Sequence, residues 1–278
     1  MKLAKHFDFT QSNLQDYIDC PYRFYLRYIR RINWPALVVE EAAAFEKHGQ
    51  AGARFHRLIQ QYLSGVDKNL VTESANADPN PKIKLWWSDF LTTVPPVLEG
   101  EKWVETIFGL PMVNHRLVAK YDLVLQHISG KIFIFDWKTS RRVPKKKWLL
   151  SRVQTKLYRF VLAQSGSALG LDEIDPGNIT MKYWFAAQPE TPISLPYDPD
   201  ALITDQTYLS HLLEEIIDRD ESAFYRTEDI NKCRYCVYRS HCDRGEGAGD
   251  WESFDTFEFE PEETLPDLDF EEIGEIKF

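Results

Sequence analysis

An aspartate and a lysine two positions apart, Asp136 and Lys138, end the apolar run Ile132-Phe133-Ile134-Phe135 with no turn residue between. In a strand, positions i and i+2 share a face, so the carboxylate and the ammonium project together. A second carboxylate, Asp122, lies 14 residues upstream in the β-prone stretch "VAKYDLVL". If the two stretches form a hairpin about Ser129-Gly130, Asp122 and Asp136 face each other at one end of a sheet. Two carboxylates there repel unless a cation sits between them, and a hard divalent ion such as Mg²⁺ or Mn²⁺ takes oxygen ligands. Lys138 on the same face could orient a water or neutralise charge developing on a phosphate oxygen. That set suits metal-assisted phosphodiester hydrolysis. Alone, the D-x-K pattern is weak and reads more readily as an ion pair at a strand end.

Four cysteines carry a second possible chemistry: Cys20, and Cys233, Cys236 and Cys242 in "CRYCVYRSHC". The C-x₂-C-x₅-C spacing with one distant partner suits a four-thiolate centre, either tetrahedral zinc or an iron–sulfur cluster. One ligand from the first helix and three from the far end would close a loop of more than 200 residues.

Taken together and in order, these elements resemble the PD-(D/E)XK nuclease superfamily. The nearest likeness is the RecB-like branch, which includes the AddB nuclease domain and CRISPR-associated RecB-like nucleases. Asp122 and Asp136-Trp137-Lys138 look like its metal site, and His56 in "GARFH" looks like its helix histidine. Gln154 and Tyr158 in "QTKLY", on one helix face at i and i+4, look like its Q-x-x-x-Y motif. Glu105 corresponds more weakly to a glutamate near the first core strand. Ala119-Lys120-Tyr121-Asp122 departs from the Gly-Arg-Ile-Asp common at the first aspartate. Cys20-Pro21-Tyr22-Arg23-Phe24-Tyr25, with the later three cysteines, looks like the [4Fe–4S] arrangement of the branch.

The resemblance implies a small mixed α/β sheet flanked by helices, with an N-terminal helical extension tied to the C-terminal cysteines. It implies a metal site of His56, Asp122, Asp136 and the Trp137 carbonyl. Lys138 would position the water, and Gln154 and Tyr158 would hold the substrate strand. The expected activity is a Mg²⁺- or Mn²⁺-dependent DNA nuclease, an exonuclease on single strands or DNA ends, in repair or recombination. The alternatives are a CRISPR-associated nuclease that processes DNA for spacer acquisition and a non-catalytic DNA-binding scaffold of the same fold.

The supporting elements follow from local pattern. Ser12 and Gln15 read as a capping box that starts a helix near Asn13, and Pro21 ends that helix or begins another. A helix is expected from about Glu40 to Leu63, a loop over residues 65–82, and three strands within residues 103–112, 115–128 and 131–140. A helix over residues 148–166, a strand over residues 178–187 and a long later helix complete the reading. Arg141, Arg142, Lys145, Lys146 and Lys147 follow the D-x-K strand directly and suit a phosphate backbone.

The net charge of −10 is unevenly distributed. Residues 250–278 hold twelve acidic residues and one lysine, a balance of −11, which leaves +1 for residues 1–249. We therefore divide the chain into a nuclease-like body, residues 1–249, and an acidic tail, residues 250–278. The tail could cover the basic groove, solubilise the chain or bind a protein partner. No apolar run approaches the roughly 20 residues of a membrane span, and the N-terminus lacks a secretory pattern, so a cytoplasmic protein is expected.

Overall fold

A computed structural model describes residues 3–4, 6–32, 40–170, 173–234 and 236–245. The acidic tail lies outside the described residues. Among them no helix is long and apolar enough to cross a membrane.

The chain opens with β1 (Asp8–Phe9) and α1 (Gln11–Asp19). The capping box lies two residues earlier than Ser12/Gln15. The Thr10 side chain accepts from the Asn13 N–H at 3.4 Å, and the Asn13 side chain accepts from the Thr10 N–H at 2.9 Å. Asparagine at the third helical position completes the reciprocal pair that glutamine was expected to make. Pro21 begins α2 (Pro21–Phe24), which continues as a π-helical turn over Tyr25–Ile29. Helix α3 runs over Glu40–Leu63 as expected. The expected loop at 65–82 instead holds α4 (Lys68–Ala77), whose N-terminus Asp67 caps by accepting from the Asn69 N–H at 2.8 Å. This helix buries only Val71 and Ala75, so its sequence carries almost no apolar stripe. Helix α5 (Pro81–Thr93) follows and buries Ile83, Trp86, Trp87 and Phe90.

Strands β2 (Gly100–Met112), β3 (His115–His127) and β4 (Ile132–Lys138) form an antiparallel meander. The chain turns from β3 to β4 at Gly130, whose φ of 81° suits glycine, and the Gly130 N–H bonds to the His127 carbonyl. After α6 (Lys146–Ser151) and α7 (Val153–Gln164), β5 (Ile179–Phe185) returns parallel to β4. The single helix expected at 148–166 is broken at Arg152, which is extended at ψ 141°. Strand β6 (Ile193–Pro196) pairs antiparallel to β5, and α8 (Pro199–Ile217) closes the order. The result is the expected mixed α/β arrangement, a sheet with helices on both faces.

Alternation along the strands sorts the core into two layers. Ile132 and Ile134 pack with Leu157, Val161 and Leu213 on the α7/α8 side. Phe135 and Trp137 pack with Phe55, Trp87, Phe90 and Trp184 on the α3/α5 side. The Trp137 indole stacks on Phe135 at 5.4 Å and meets Phe90 edge-on at 5.5 Å. Burial of one such ring contributes about 2–3 kcal/mol, so the end of β4 is held firmly.

Gly52 lets α3 approach that end closely, because a Cβ there would meet Thr139 Oγ1 at 2.9 Å. In Gly52→Ala the better helix propensity is worth roughly 1 kcal/mol, whereas overpacking costs about 1–3 kcal/mol. A net loss of stability of about 1 kcal/mol is expected in urea denaturation.

Candidate active site

The site forms where β3 changes partners. Strand β2 covers one edge of β3 along its length, so β1 and β4 must share the other edge. β1 takes Arg116 and Leu117, β4 takes Leu123 through Gln126, and the stretch between is left unladdered on that edge. Asp122 is the first residue beyond the β4 pairing. The ladder's register, continued one step past Leu123↔Phe135, sets it opposite Asp136 as the hairpin reading required.

The β2–β3 ladder is irregular at the same rung. It pairs Val104 with Leu123 and Thr106 with Tyr121, but omits Glu105 and Asp122. Glu105 has φ 49°, a left-handed conformation that costs a residue with a Cβ roughly 1–2 kcal/mol. Both strands change face here. Leu117, Ala119 and Tyr121 face the α7 layer, while Leu123 and Leu125 face the α3 layer. On β2, Phe108 faces the α7 layer and Val104 packs on the α3 layer. Groups from opposite faces of the sheet can therefore meet at this rung.

They do meet. From α3, His56 Nδ1 lies 3.4 Å from Asp122 Oδ1, and His56 Nε2 lies 2.9 Å from the Trp137 carbonyl. The Trp137 N–H donates to Asp122 Oδ2 at 2.8 Å, so a side chain takes the place of the missing ladder bond. From α7, Gln154 Nε2 donates to Asp136 Oδ1 at 2.8 Å. Lys138 Nζ lies 3.0 Å from Asp136 Oδ2, off hydrogen-bond geometry, which leaves that oxygen with a charge contact only. Tyr158 is buried, its ring 5.0 Å from that of Tyr121, whose hydroxyl donates to the Tyr158 carbonyl. Gln154 thus touches the carboxylate cluster, while Tyr158 lies behind it in the core.

Ligand atoms of His56, Glu105 and Asp122 all lie within 4.8 Å of one another, a spacing at which one ion can touch all three. An imidazole with two carboxylates suits a divalent cation, the carboxylates favouring a hard ion and the imidazole a transition ion. Asp136, on the other side of Asp122, is turned toward Lys138 and Gln154. Glu105 also pairs with Lys120 at 3.0 Å.

The two aspartates titrate apart. Burial lifts the Asp136 carboxyl to about 6, with Lys138 opposing the rise and the charge of Asp122 adding to it. For Asp122 burial acts in the same direction, but the charge and hydrogen bond of His56, with the Trp137 N–H, outweigh it and lower the carboxyl. Burial also disfavours the His56 imidazolium, yet Asp122 overrides it and raises the histidine to about 9. Without a cation the cluster therefore carries a His56–Asp122 ion pair at neutral pH. A cation taking the histidine nitrogen must displace a proton.

The family model for the PD-(D/E)XK nuclease superfamily matches residues 8–243, most of the chain. The chain belongs to the PD-(D/E)XK nuclease superfamily. Its substrate class is accordingly nucleic acid. No curated protein matches it. Solved structures similar to this superfamily member include SSO0001, at 12% identity over 85% of this chain and 86% of the other, with a TM-score of 0.40. Another is a putative exonuclease from Eubacterium rectale, at 10% identity over 74% and 79% of the two chains, with a TM-score of 0.40.

The four cysteines of this superfamily member line one cavity, although Cys20 is more than 200 residues from the rest. Cys20 sits where α1 ends and α2 begins, and the Thr227 N–H approaches its sulfur at 3.5 Å. Around them, Lys232 pairs with Asp19 at 3.1 Å, Arg23 with Asp16 and Asp19 at 2.8 Å, and the Tyr238 hydroxyl donates to the Ile32 carbonyl at 2.8 Å. Burial raises the Cys233, Cys236 and Cys242 thiols, and nearby arginines pull them down.

Sequence reasoning missed the groups that hold Gln154. The Tyr183 hydroxyl lies 2.8 Å from Thr155 Oγ1 and 3.4 Å from Gln154 Oε1, and the Thr155 hydroxyl reaches the Leu149 carbonyl at 2.6 Å. Tyr183 pairs with Asp136 across the β4–β5 ladder, so its alternation parity was the available signal. Tyr183→Phe is expected to lower stability by about 1–2 kcal/mol through the lost buried hydrogen bonds. It should also reduce nucleic-acid cleavage by loosening Gln154, a change that thermal denaturation and a rate assay together would register.

Proposed function

We propose that this chain is a metal-dependent deoxyribonuclease that hydrolyses phosphodiester bonds in single strands or at DNA ends, with a structural [4Fe–4S] cluster. The observation that carries the reading is the convergence of His56, Asp122, Asp136, Lys138 and Gln154 from four elements, α3, β3, β4 and α7, at one irregular rung.

His56, Asp122, Asp136 and the Trp137 carbonyl would hold the Mg²⁺ or Mn²⁺, with Glu105 beside them. When bound, the cation supplies Lewis acidity toward a phosphate oxygen. Lys138, fixed by Asp136, presents a positive charge where an attacking water and the developing phosphate charge need it. Gln154 fixes the Asp136 carboxylate so that its contact with Lys138 keeps one orientation. Tyr158 acts from the core, holding β3 through Tyr121. Arg141, Arg142 and Lys145–Lys147 would track the phosphate backbone on leaving the site.

Cys20, Cys233, Cys236 and Cys242, which line one cavity, would hold the cluster. Its role is to fasten the N-terminal helices to the end of the folded body.

The test is purification without air, measurement of iron, sulfide and zinc, and incubation of end-labelled single and double strands with Mg²⁺, Mn²⁺ or a chelator. Cleavage with either ion and none with the chelator is expected, alongside iron and sulfide in similar amounts. Binding of DNA without cleavage under every condition would replace the nuclease by a non-catalytic DNA-binding subunit.

A further inference from the structure

We propose that the acidic segment 250–278 binds the chain's own basic rim beside the candidate active site and there competes with nucleic acid. The inference rests on the nuclease reading only for the identity of the competing ligand.

The rim begins three residues after Lys138. Arg141, Arg142, Lys145, Lys146 and Lys147 are all exposed, in the loop after β4 and the first turn of α6. The positive surface continues onto the helices that cover the α3 side of the site. After burial, the charge of Arg141 is what lowers the Lys82 ammonium at the start of α5. His48 on α3 is likewise lowered by burial and then by Lys82 and Arg141, while a hydrogen bond with the Thr139 backbone holds its ring over the end of β4. His48 precedes His56 by about two helical turns. Like charges gathered on one rim repel and favour an anionic occupant.

The chain carries such an occupant. Its last 29 residues hold a balance of −11, whereas residues 1–249 total only +1. The attraction is therefore to a local concentration of positive charge and not to the body at large. Phe254, Phe257, Phe259 and Phe270 are interleaved with the carboxylates. Rings alternating with negative groups reproduce the two features by which a single strand is held, charge along a backbone and π-faces for stacking. Reach is sufficient. The 33 residues after Gly245 span up to about 110 Å when extended and about 30 Å as a flexible chain, against a body of about 18 Å radius of gyration. Tethering holds the segment at an effective concentration on the order of millimolar.

The test compares the full-length chain with a full-length variant whose twelve tail carboxylates are changed to amides. A labelled single-stranded oligonucleotide is titrated in chelator, so that binding is read without cleavage. In parallel, zero-length carbodiimide cross-links are mapped by mass spectrometry. At about 50 mM salt, cross-links from tail carboxylates to Lys145, Lys146, Lys147 or Lys82 are expected, and they should vanish at high salt. The amide variant should bind the oligonucleotide about tenfold or more tightly, and the gap should close as salt rises. The triple change Lys145→Glu, Lys146→Glu, Lys147→Glu should abolish the gap. Cross-links absent from those lysines, or a gap that survives the triple change, would overturn the proposal in favour of a long-range field or a separate protein partner for the tail. Failure of the nuclease reading would look different: neither form would cleave with Mg²⁺ or Mn²⁺, yet the tail-dependent gap in binding would remain.

Discussion

Asp136→Asn should reduce cleavage by at least about 10²–10³-fold and, in metal-free protein, leave the fold as stable as the wild type or more so above pH 6. The first effect follows from the number of partners Asp136 organises. It holds Lys138 at 3.0 Å and receives Gln154 at 2.8 Å, so the amide loses a negative charge and the clamp on the lysine together. Loss of one preorganised electrostatic group at a reacting centre is commonly worth that factor. The second effect follows from burial. The carboxyl titrates at about 6 in the fold against 3.8 as its ordinary value. A raised folded-state value means that the native state binds the proton more tightly, so stability present below pH 4 is lost as pH rises through 6. The difference corresponds to about 3 kcal/mol at most, reduced because Lys138 loses its partner in the variant. Urea titrations of chelator-treated protein at pH 4, 5, 6 and 7 should show the wild type losing stability over that range relative to Asp136→Asn. Lys138→Ala should match the loss of activity without matching the pH behaviour. Wild-type cleavage by either variant would remove the assignment of this cluster as the active centre.

Much of this cluster was legible because its parts are short-range. D-x-K at a strand end, a hairpin turn at Ser129-Gly130 and a carboxylate in the partner strand fix one another through alternation and register alone. The α3 and α7 helices were legible from their apolar stripes, and His56 and Gln154 through a family likeness in residue order. The irregular rung was not. Glu105 at positive φ and the change of face on both strands arise from pairing between β2 and β3, and no single stretch of sequence states that pairing. Tyr158 shows the limit of an i, i+4 argument. Gln154 and Tyr158 do share a helix face, but that face runs from the carboxylates into the core, so its second member meets Tyr121. Helix α4 was hidden because it buries two small contacts on an otherwise polar surface, and its Asp67 cap was the readable signal.

Cys20→Ser should cost the protein far more than a surface cysteine would. The four cysteines line one cavity whose walls come from both ends of the body, α1 and α2 on one side and residues 226–244 on the other. Cross-linking these ends closes a loop of more than 200 residues. In the chain-entropy treatment of cross-links that constraint is worth about 5 kcal/mol, an upper bound for a metal-held junction. The remaining ties are ion pairs such as Lys232–Asp19 and hydrogen bonds such as Tyr238 to Ile32, each worth a fraction of that. The expected outcome is a fall in melting temperature of roughly 10–15 °C, loss of bound iron and sulfide, and early proteolysis within the N-terminal helices. The α3/α5 layer should survive, since none of its members lines the cavity, whereas Leu26 and Tyr238 tie the other layer to it. Exposing wild-type protein to oxidant and chelator should reproduce the variant's melting profile. Cys20→Ser with unchanged melting, or wild-type protein free of iron and sulfide when purified without air, would leave the cavity without a structural cluster. A zinc content near one per chain would then assign the same junction to a tetrahedral ion.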